Sequence, residues 1–163
     1  MTLVLTLLLD DAATARFDAL RREHFPAGRT QVAAHVTLFH VLPDDARVRA
    51  DVREVADRPA FDVRVSGVQR LGRGVAYALR APELDAVHRE LAGRWQDVLV
   101  PQDRQGLRAH VTVQNKVEPA RARALAERLE AGFAPYDVRA VGLGLWRYLD
   151  GPWAADEHAA FAP

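Results

Sequence analysis

The chain contains no cysteine. That excludes a disulfide framework, a thiol nucleophile and every thiolate metal site. Lysine is nearly absent: Lys116 is the only one among 22 basic residues, and 22 acidic residues balance them. A formal charge of zero argues against a broad nonspecific nucleic-acid surface, which would show as a basic excess. It leaves room for a local basic pocket. Long apolar runs are missing as well. The apolar start, Met1 to Asp10, has no basic leader and no cleavage-site pattern. It falls far short of the roughly 20 residues a membrane span needs. It reads as a buried central strand, and a cytoplasmic protein is expected. With 163 residues, 49% of them hydrophobic, the chain suits one domain that folds without metal or disulfide.

What is present is a repeat. Ala34-His35-Val36-Thr37-Leu38 recurs as Ala109-His110-Val111-Thr112-Val113, an offset of 75. Upstream, Pro26, Arg29 and Val32 align with Pro101, Arg104 and Leu107. Downstream, Phe61-Asp62-Val63-Arg64 aligns with Tyr136-Asp137-Val138-Arg139, and Gly67-Val68 with Gly142-Leu143. Internal repeats dictate architecture. The spacing predicts two similar halves, approximately 1–70 and 74–145, within one unit over 1–163.

Periodicity fills in the halves. Residues 2–9 read as a strand, followed by a helix to about 25 that Pro26-Ala27-Gly28 breaks. Residues 32–41 carry the first motif as a strand. A helix starts at Pro43-Asp44, and 60–69 alternate as a third strand. The order then restarts: strand 74–81, a helix opened by Pro82, strand 107–115 with the second motif, a helix opened by Pro119, strand 136–149, and a short last strand. The class is α+β: two similar β-sheet lobes with outer helices around a central cleft.

Alternation along a strand assigns the motif faces. His35, Thr37 and Phe39 share one face, opposite Val36 and Leu38. His110, Thr112, Gln114 and Lys116 share a face opposite Val111 and Val113. The valines and leucines go to the core, so the histidines and threonines project from the opposite face, toward a cleft or solvent. Two imidazoles that titrate near neutrality can divide acid and base work. Threonine hydroxyls can donate to phosphate oxygens as charge builds there. Arg29 and Arg104, in the loops before the motifs, and Lys116 are candidates to neutralise phosphate. On the strand at 138–149, Trp146 and Tyr148 share a face with Gly142 and Gly144 and are candidates to stack on a base, as is Phe39. Arg64 and Arg139, next to the repeated Asp62 and Asp137, read as structural. His40 reads as pointing away from the catalytic face. No acidic residue lies within either motif, so no metal site is expected.

The paired motifs, His35-Val36-Thr37-Leu38 and His110-Val111-Thr112-Val113, resemble those of the two-histidine phosphoesterases. These include RNA 2′,3′-cyclic phosphodiesterases historically called 2′-5′ RNA ligases. The resemblance implies a bilobal fold with a V-shaped cleft, one lobe holding both chain termini. It implies phosphodiester chemistry without metal, ATP or other cofactor, with His35, Thr37, His110 and Thr112 as the catalytic set. One histidine would activate water and the other protonate the departing ribose oxygen, their assignment left open. Ligation, with a 5′-hydroxyl in place of water, would be secondary. The expected substrate is a cyclic phosphate on a nucleotide or RNA end, and a monomer is expected. A non-catalytic RNA-end or nucleotide-binding module and a metal-dependent hydrolase are the competing readings.

Overall fold

A computed structural model of the chain describes residues 1–28 and 32–163. Strand β1 (Thr2–Leu9) is almost wholly apolar and mostly buried. Helix α1 (Asp11–His24) starts where the Asp10 carboxylate accepts the Ala13 N–H at 3.0 Å, satisfying one of the orphan donors of a first turn. After β2 (Val36–Pro43), Asp45 caps α2 (Ala46–Val55) in the same way, on Val48. Strands β3 (Phe61–Arg70) and β4 (Val75–Arg80) form a hairpin. Helix α3 (Pro82–Arg94) and helix α4 (Pro119–Ala131) each open on proline, whose missing N–H costs nothing at the first helical position. Between them lie a 3₁₀ turn (Pro101–Arg104) and β5 (His110–Gln114). The long β6 (Tyr136–Tyr148) and β7 (Trp153–Ala160) complete the chain.

All seven strands join one sheet, ordered β2-β1-β6-β3-β4-β5, with β7 added to β6. Every strand pairing is antiparallel. β6 is the shared element. Its first half pairs with β3, and its second half runs between β1 and β7. One lobe is therefore β2-β1-β6-β7, which contains both chain termini; the other is β5-β4-β3. The lobes meet where Val63 faces Val138.

The helices cross over. Phe17 of α1 packs on Tyr77 of β4, with centroids 6.0 Å apart, so α1 covers the second lobe. The His88 ring of α3 stacks on Phe39 of β2 at 4.7 Å, and Trp95 meets Phe39 edge-on at 5.1 Å. So α3 covers the first lobe. The core runs continuously through both lobes, from Leu3, Leu5 and Leu143 to Val111, Val113 and Leu125.

The predicted order of elements forms as expected, but helix α2 begins at Ala46 rather than at Pro43-Asp44, and the second motif strand begins at His110 rather than 107. The first motif strand begins at Val36 rather than 32. The repeat is also not gapless through its first strand and helix. Thr6 faces Thr37 and Ala76 faces Thr112, so Ala76 holds the place of Thr6. The connection from helix to motif is longer in the second half and contains the 3₁₀ turn. Among the described residues, no helix is long and apolar enough to cross a membrane.

Candidate active site

The two motifs are built alike. His35 Nδ1 lies 2.8 Å from the carbonyl of Ala33, and His110 Nδ1 lies 2.8 Å from the carbonyl of Arg108. A carbonyl accepts only, so each Nδ1 carries the proton and donates it. In the neutral ring Nε2 is then the free base, and it is the site of proton exchange in both rings. Each ring is thereby oriented by the backbone two residues earlier, in both halves.

A bulge follows the threonine in both strands. Thr6 pairs with Thr37 but the next partner, Leu5, pairs with Phe39, which leaves Leu38 as the extra residue. Likewise Ala76 pairs with Thr112 and Val75 with Gln114, leaving Val113 extra. Alternation slips by one residue at each bulge. Phe39 and Gln114 therefore turn into the core instead of sharing the His/Thr face. This corrects the expected placement of Phe39: it is fully buried against His88 and Trp95 and has no free face for a base. Gln114 is buried too, and among the described residues its Oε1 has no partner.

The slip also changes His40. Expected to point away, it is exposed and near enough to His35 for its charge to lower the His35 pKa. Its Nδ1 donates to Asp103 Oδ1 at 2.9 Å. Asp103, in the 3₁₀ turn, is itself buried and accepts the His40 and Val41 backbone N–H groups at 2.8–3.0 Å. Burial alone would raise its pKa, but these bonds outweigh that and hold the carboxyl below its usual range.

His35 sits in an aromatic setting. Its ring packs on Trp153, with centroids 4.6 Å apart and planes tilted by 51°. Trp146 lies 6.2 Å from Trp153 and 4.8 Å from His158, and its Nε1 donates to Thr6 Oγ1 at 2.9 Å. Thr37, Thr6, Gly144 and His158 form one row across β2, β1, β6 and β7. The missing side chain at Gly144 makes room for the indole: a Cβ there would stand 3.1 Å from Trp146 Nε1. Thr6, His35, Trp146, Trp153 and His158 line a cavity of about 240 Å³, with Phe17 and Val111 also in its wall.

Burial chiefly lowers the His35 pKa, opposed by the Ala33 hydrogen bond and reinforced by the charges of Arg21, His110 and His40. Arg21 is itself buried, with its pKa lowered by burial. Its guanidinium donates to the carbonyls of Thr112 at 2.8 Å and Val32 at 2.9 Å.

The other expected substrate contacts divide. Trp146 lines the His35 cavity. Tyr148 is exposed and sits opposite Trp153. Lys116 is exposed just past β5, in a left-handed conformation (φ 61°). Arg104 lines a separate groove of about 820 Å³ between α3 and the turn at 104–107, which includes neither motif histidine. Arg29 lies outside the described residues. Arg64 and Arg139 pair with Asp137 and Asp62. Among the described residues, no group of three or more His, Asp or Glu side chains is placed to hold a metal ion.

Sequence reasoning did not find Trp153, Thr6, His158, Arg21 or Asp103. Thr6 reaches the site through the pairing of β1 with β2, and Trp153 and His158 reach it through the pairing of β7 with β6. The last two reach it through contacts between the lobes.

The fold recurs in solved structures. TT0787 of Thermus thermophilus matches with a TM-score of 0.65 and 18% identity, covering 99% of this chain and 98% of that one. Escherichia coli LigT in complex with 3′-AMP matches with a TM-score of 0.62 and 17% identity, with the same coverage. LigT in complex with ATP gives 0.59 and 15%, again covering 99% and 98%. At these identities the likeness establishes the fold. No curated protein matches the sequence. Residues 9–152 match the family described as the 2′-5′ RNA ligase superfamily, and the chain belongs to that family of two-histidine phosphoesterases.

Proposed function

We propose that this protein is a phosphodiesterase that opens 2′,3′-cyclic phosphates on nucleotides or RNA ends by His35/His110 acid–base catalysis. The observation that carries the reading is the matched pair of imidazoles. Both are held at Nδ1 by a backbone carbonyl, and both keep Nε2 for proton exchange. They are close enough for a charge on His110 to lower the His35 pKa.

The chemistry follows from that pairing. Water attacks phosphorus and passes a proton to one Nε2. The bond from phosphorus to one ribose oxygen breaks, and the other Nε2–H protonates the departing oxygen. Thr37 and Thr112 donate to the non-bridging oxygens, where negative charge accumulates. His35 suits the base: its burial and cationic neighbours favour the neutral ring. His110 then supplies the proton. Ligation would replace water with a 5′-hydroxyl. The Trp146/Trp153 wall suits a stacked nucleobase, and Lys116 and Tyr148 would stand at the rim. Bound 3′-AMP and ATP in LigT support a nucleotide-sized ligand.

The test is hydrolysis of the four nucleoside 2′,3′-cyclic phosphates in EDTA at neutral pH. Wild type should turn over, and His35→Ala and His110→Ala should each lose at least ~10²-fold. Wild-type binding without product would instead favour a non-catalytic nucleotide-binding module. Activity that vanishes in EDTA and returns with a divalent ion would overturn the metal-independent mechanism.

A further inference from the structure

We infer that Arg21 is a positioning residue: one buried guanidinium holds the segment leading into His35 against the strand that carries Thr112, and so sets the two motifs at working distance. The inference rests on the acid–base reading above and gives Arg21 a part in it without substrate contact.

Arg21 belongs to α1, yet neither of its hydrogen bonds stays within the helix. Nη1 donates to the Thr112 carbonyl of β5 at 2.8 Å, and Nη2 donates to the Val32 carbonyl, three residues before His35, at 2.9 Å. Its guanidinium lies 4.3 Å over the Phe25 ring. Asp18, one turn earlier, accepts the Ala34 N–H at 2.6 Å. Thus α1 grips the entry to the first motif at Val32 and Ala34 and the second motif at Thr112. A planar fork that reaches two carbonyls is what arginine supplies and lysine does not.

The arrangement is costly unless it has a use. Arg21 is only 6% exposed, and the charge of nearby Asp18 favours the guanidinium less than burial opposes it. Burying a cation opposes folding. The second repeat solves the same local problem without one. Counted from the helix caps Asp10 and Ala81, the counterparts of Asp18 and Arg21 on α3 are Arg89 and Ala92, and there an open groove separates α3 from the turn at 104–107. The reciprocal tie, Asp103 to β2, reaches His40 and Val41 but no motif residue.

Arg21 also acts on His35 through charge. The charged or titratable groups around His35 are Arg21 and Asp18 on α1, His110 on β5, His40 on β2 and His158 on β7. Arg21 lowers the His35 pKa, and its removal should let it rise. The titration therefore reports the charge of Arg21, while kcat and the Val113 shift report the positioning.

The experiment compares wild type, Arg21→Met and Arg21→Lys. NMR follows the His35 ring titration and the Val113 amide nitrogen, which reports hydrogen bonding at the Thr112 carbonyl. Steady-state kinetics use a nucleoside 2′,3′-cyclic phosphate. Arg21→Met should move the His35 titration to higher pH and shift Val113. Its kcat should fall between about 10-fold and about 100-fold, the scale of a small misplacement of reacting groups, with KM little changed. Arg21→Lys keeps the charge, so His35 should titrate near its wild-type value while kcat stays reduced. A folded Arg21→Met with wild-type kcat and an unmoved His35 titration overturns the inference. If Arg21→Met does not fold, wild-type kcat in Arg21→Lys overturns it. If wild type itself lacks turnover, the activity reading fails separately. The titration and Val113 shift then decide, and no change in either overturns the positioning role.

Discussion

Val63 of β3 lies directly opposite Val138 of β6, its own counterpart in the repeat. Around that point the pairing is reciprocal: Asp62 faces Arg139 and Asp137 faces Arg64. A two-fold relation within one chain makes each contact appear twice, as at the interface of a symmetric dimer. Its energetics are unequal. Val63 is fully buried, so Val63→Ala should cost about 2 kcal/mol in lost transfer energy and cavity. The Asp62–Arg139 pair is open to solvent, with side chains 65% and 45% exposed. Asp62→Ala should cost less than about 1 kcal/mol, since such pairs gain little in water. Urea denaturation of both variants checks this, and an equal loss in the two would refute the ranking.

Gly74, just before β4, leaves too little room for a Cβ. A Cβ there would stand 2.7 Å from the Asn115 Cα and closer still to the Gln114 carbonyl oxygen. Those are backbone atoms just past the second motif, so nothing flexible can yield. Gly74→Ala should destabilise by at least about 1–3 kcal/mol, the range for forced overpacking. Gly67→Ala, where a Cβ meets nothing within 4 Å, is the matched control. A Gly74→Ala melting temperature equal to that of the control would contradict the close approach.

Acid should weaken the fold in two steps. His35 and His88 both have pKa values lowered below 6.5, mainly by burial. In the unfolded chain they take up protons first, so the stability they permit is complete above pH 6.5 and is lost as pH falls toward their folded values. Asp103, held below 3.8 despite its burial by bonds from His40 and Val41, acts later. Its contribution is present above 3.8 and disappears as pH drops through its folded value. Melting temperature should decline from pH 6.5 downward and then again in the acid range. His88→Phe, which keeps the ring stacked on Phe39, should flatten the first decline only. An unchanged first decline in that variant would remove His88 from the account.

Legibility in the sequence tracked the range of the interaction. His35, Thr37, His110 and Thr112 stood out because two copies of one local pattern must fold alike, and both copies do hold the same Nδ1 bond. Element order was legible for the same local reasons, with Pro82 and Pro119 as helix starts, although the helix expected from Pro43-Asp44 begins at Ala46 with Asp45 as its cap. Phe39 was misplaced because strand alternation carries no mark of a bulge. The bulge exists only in the register of β2 against β1. Trp153 was missed because its neighbour His35 lies three strands away, across β6 and β1. Arg21 was hidden among many arginines, and only the crossing of α1 onto the second lobe brings the Thr112 carbonyl within its reach.

The same cross-strand setting makes Trp153 and Gly144 separable tests of the cavity beside His35. Trp153 touches the His35 ring at 4.6 Å and takes no part in proton transfer. Removing it should loosen the imidazole and admit water. Water weakens the desolvation that lowers the His35 pKa. In Trp153→Ala the acid limb of kcat/KM should therefore move up toward pH 6.5, the ordinary imidazole value. Gly144→Ala acts differently. Its Cβ would crowd Leu8 Cδ2 at 2.9 Å and Trp146 Nε1 at 3.1 Å, pushing the indole off Thr6 while leaving the His35–Trp153 contact in place. If Trp146 forms the wall for a nucleobase, KM for a nucleoside 2′,3′-cyclic phosphate should rise. The acid limb should stay where it is in wild type. The pH–rate profiles of the two variants, measured side by side, separate the wall that sets the base from the wall that holds the ligand. Identical profiles and identical KM values in both would mean that the aromatic cluster serves packing alone.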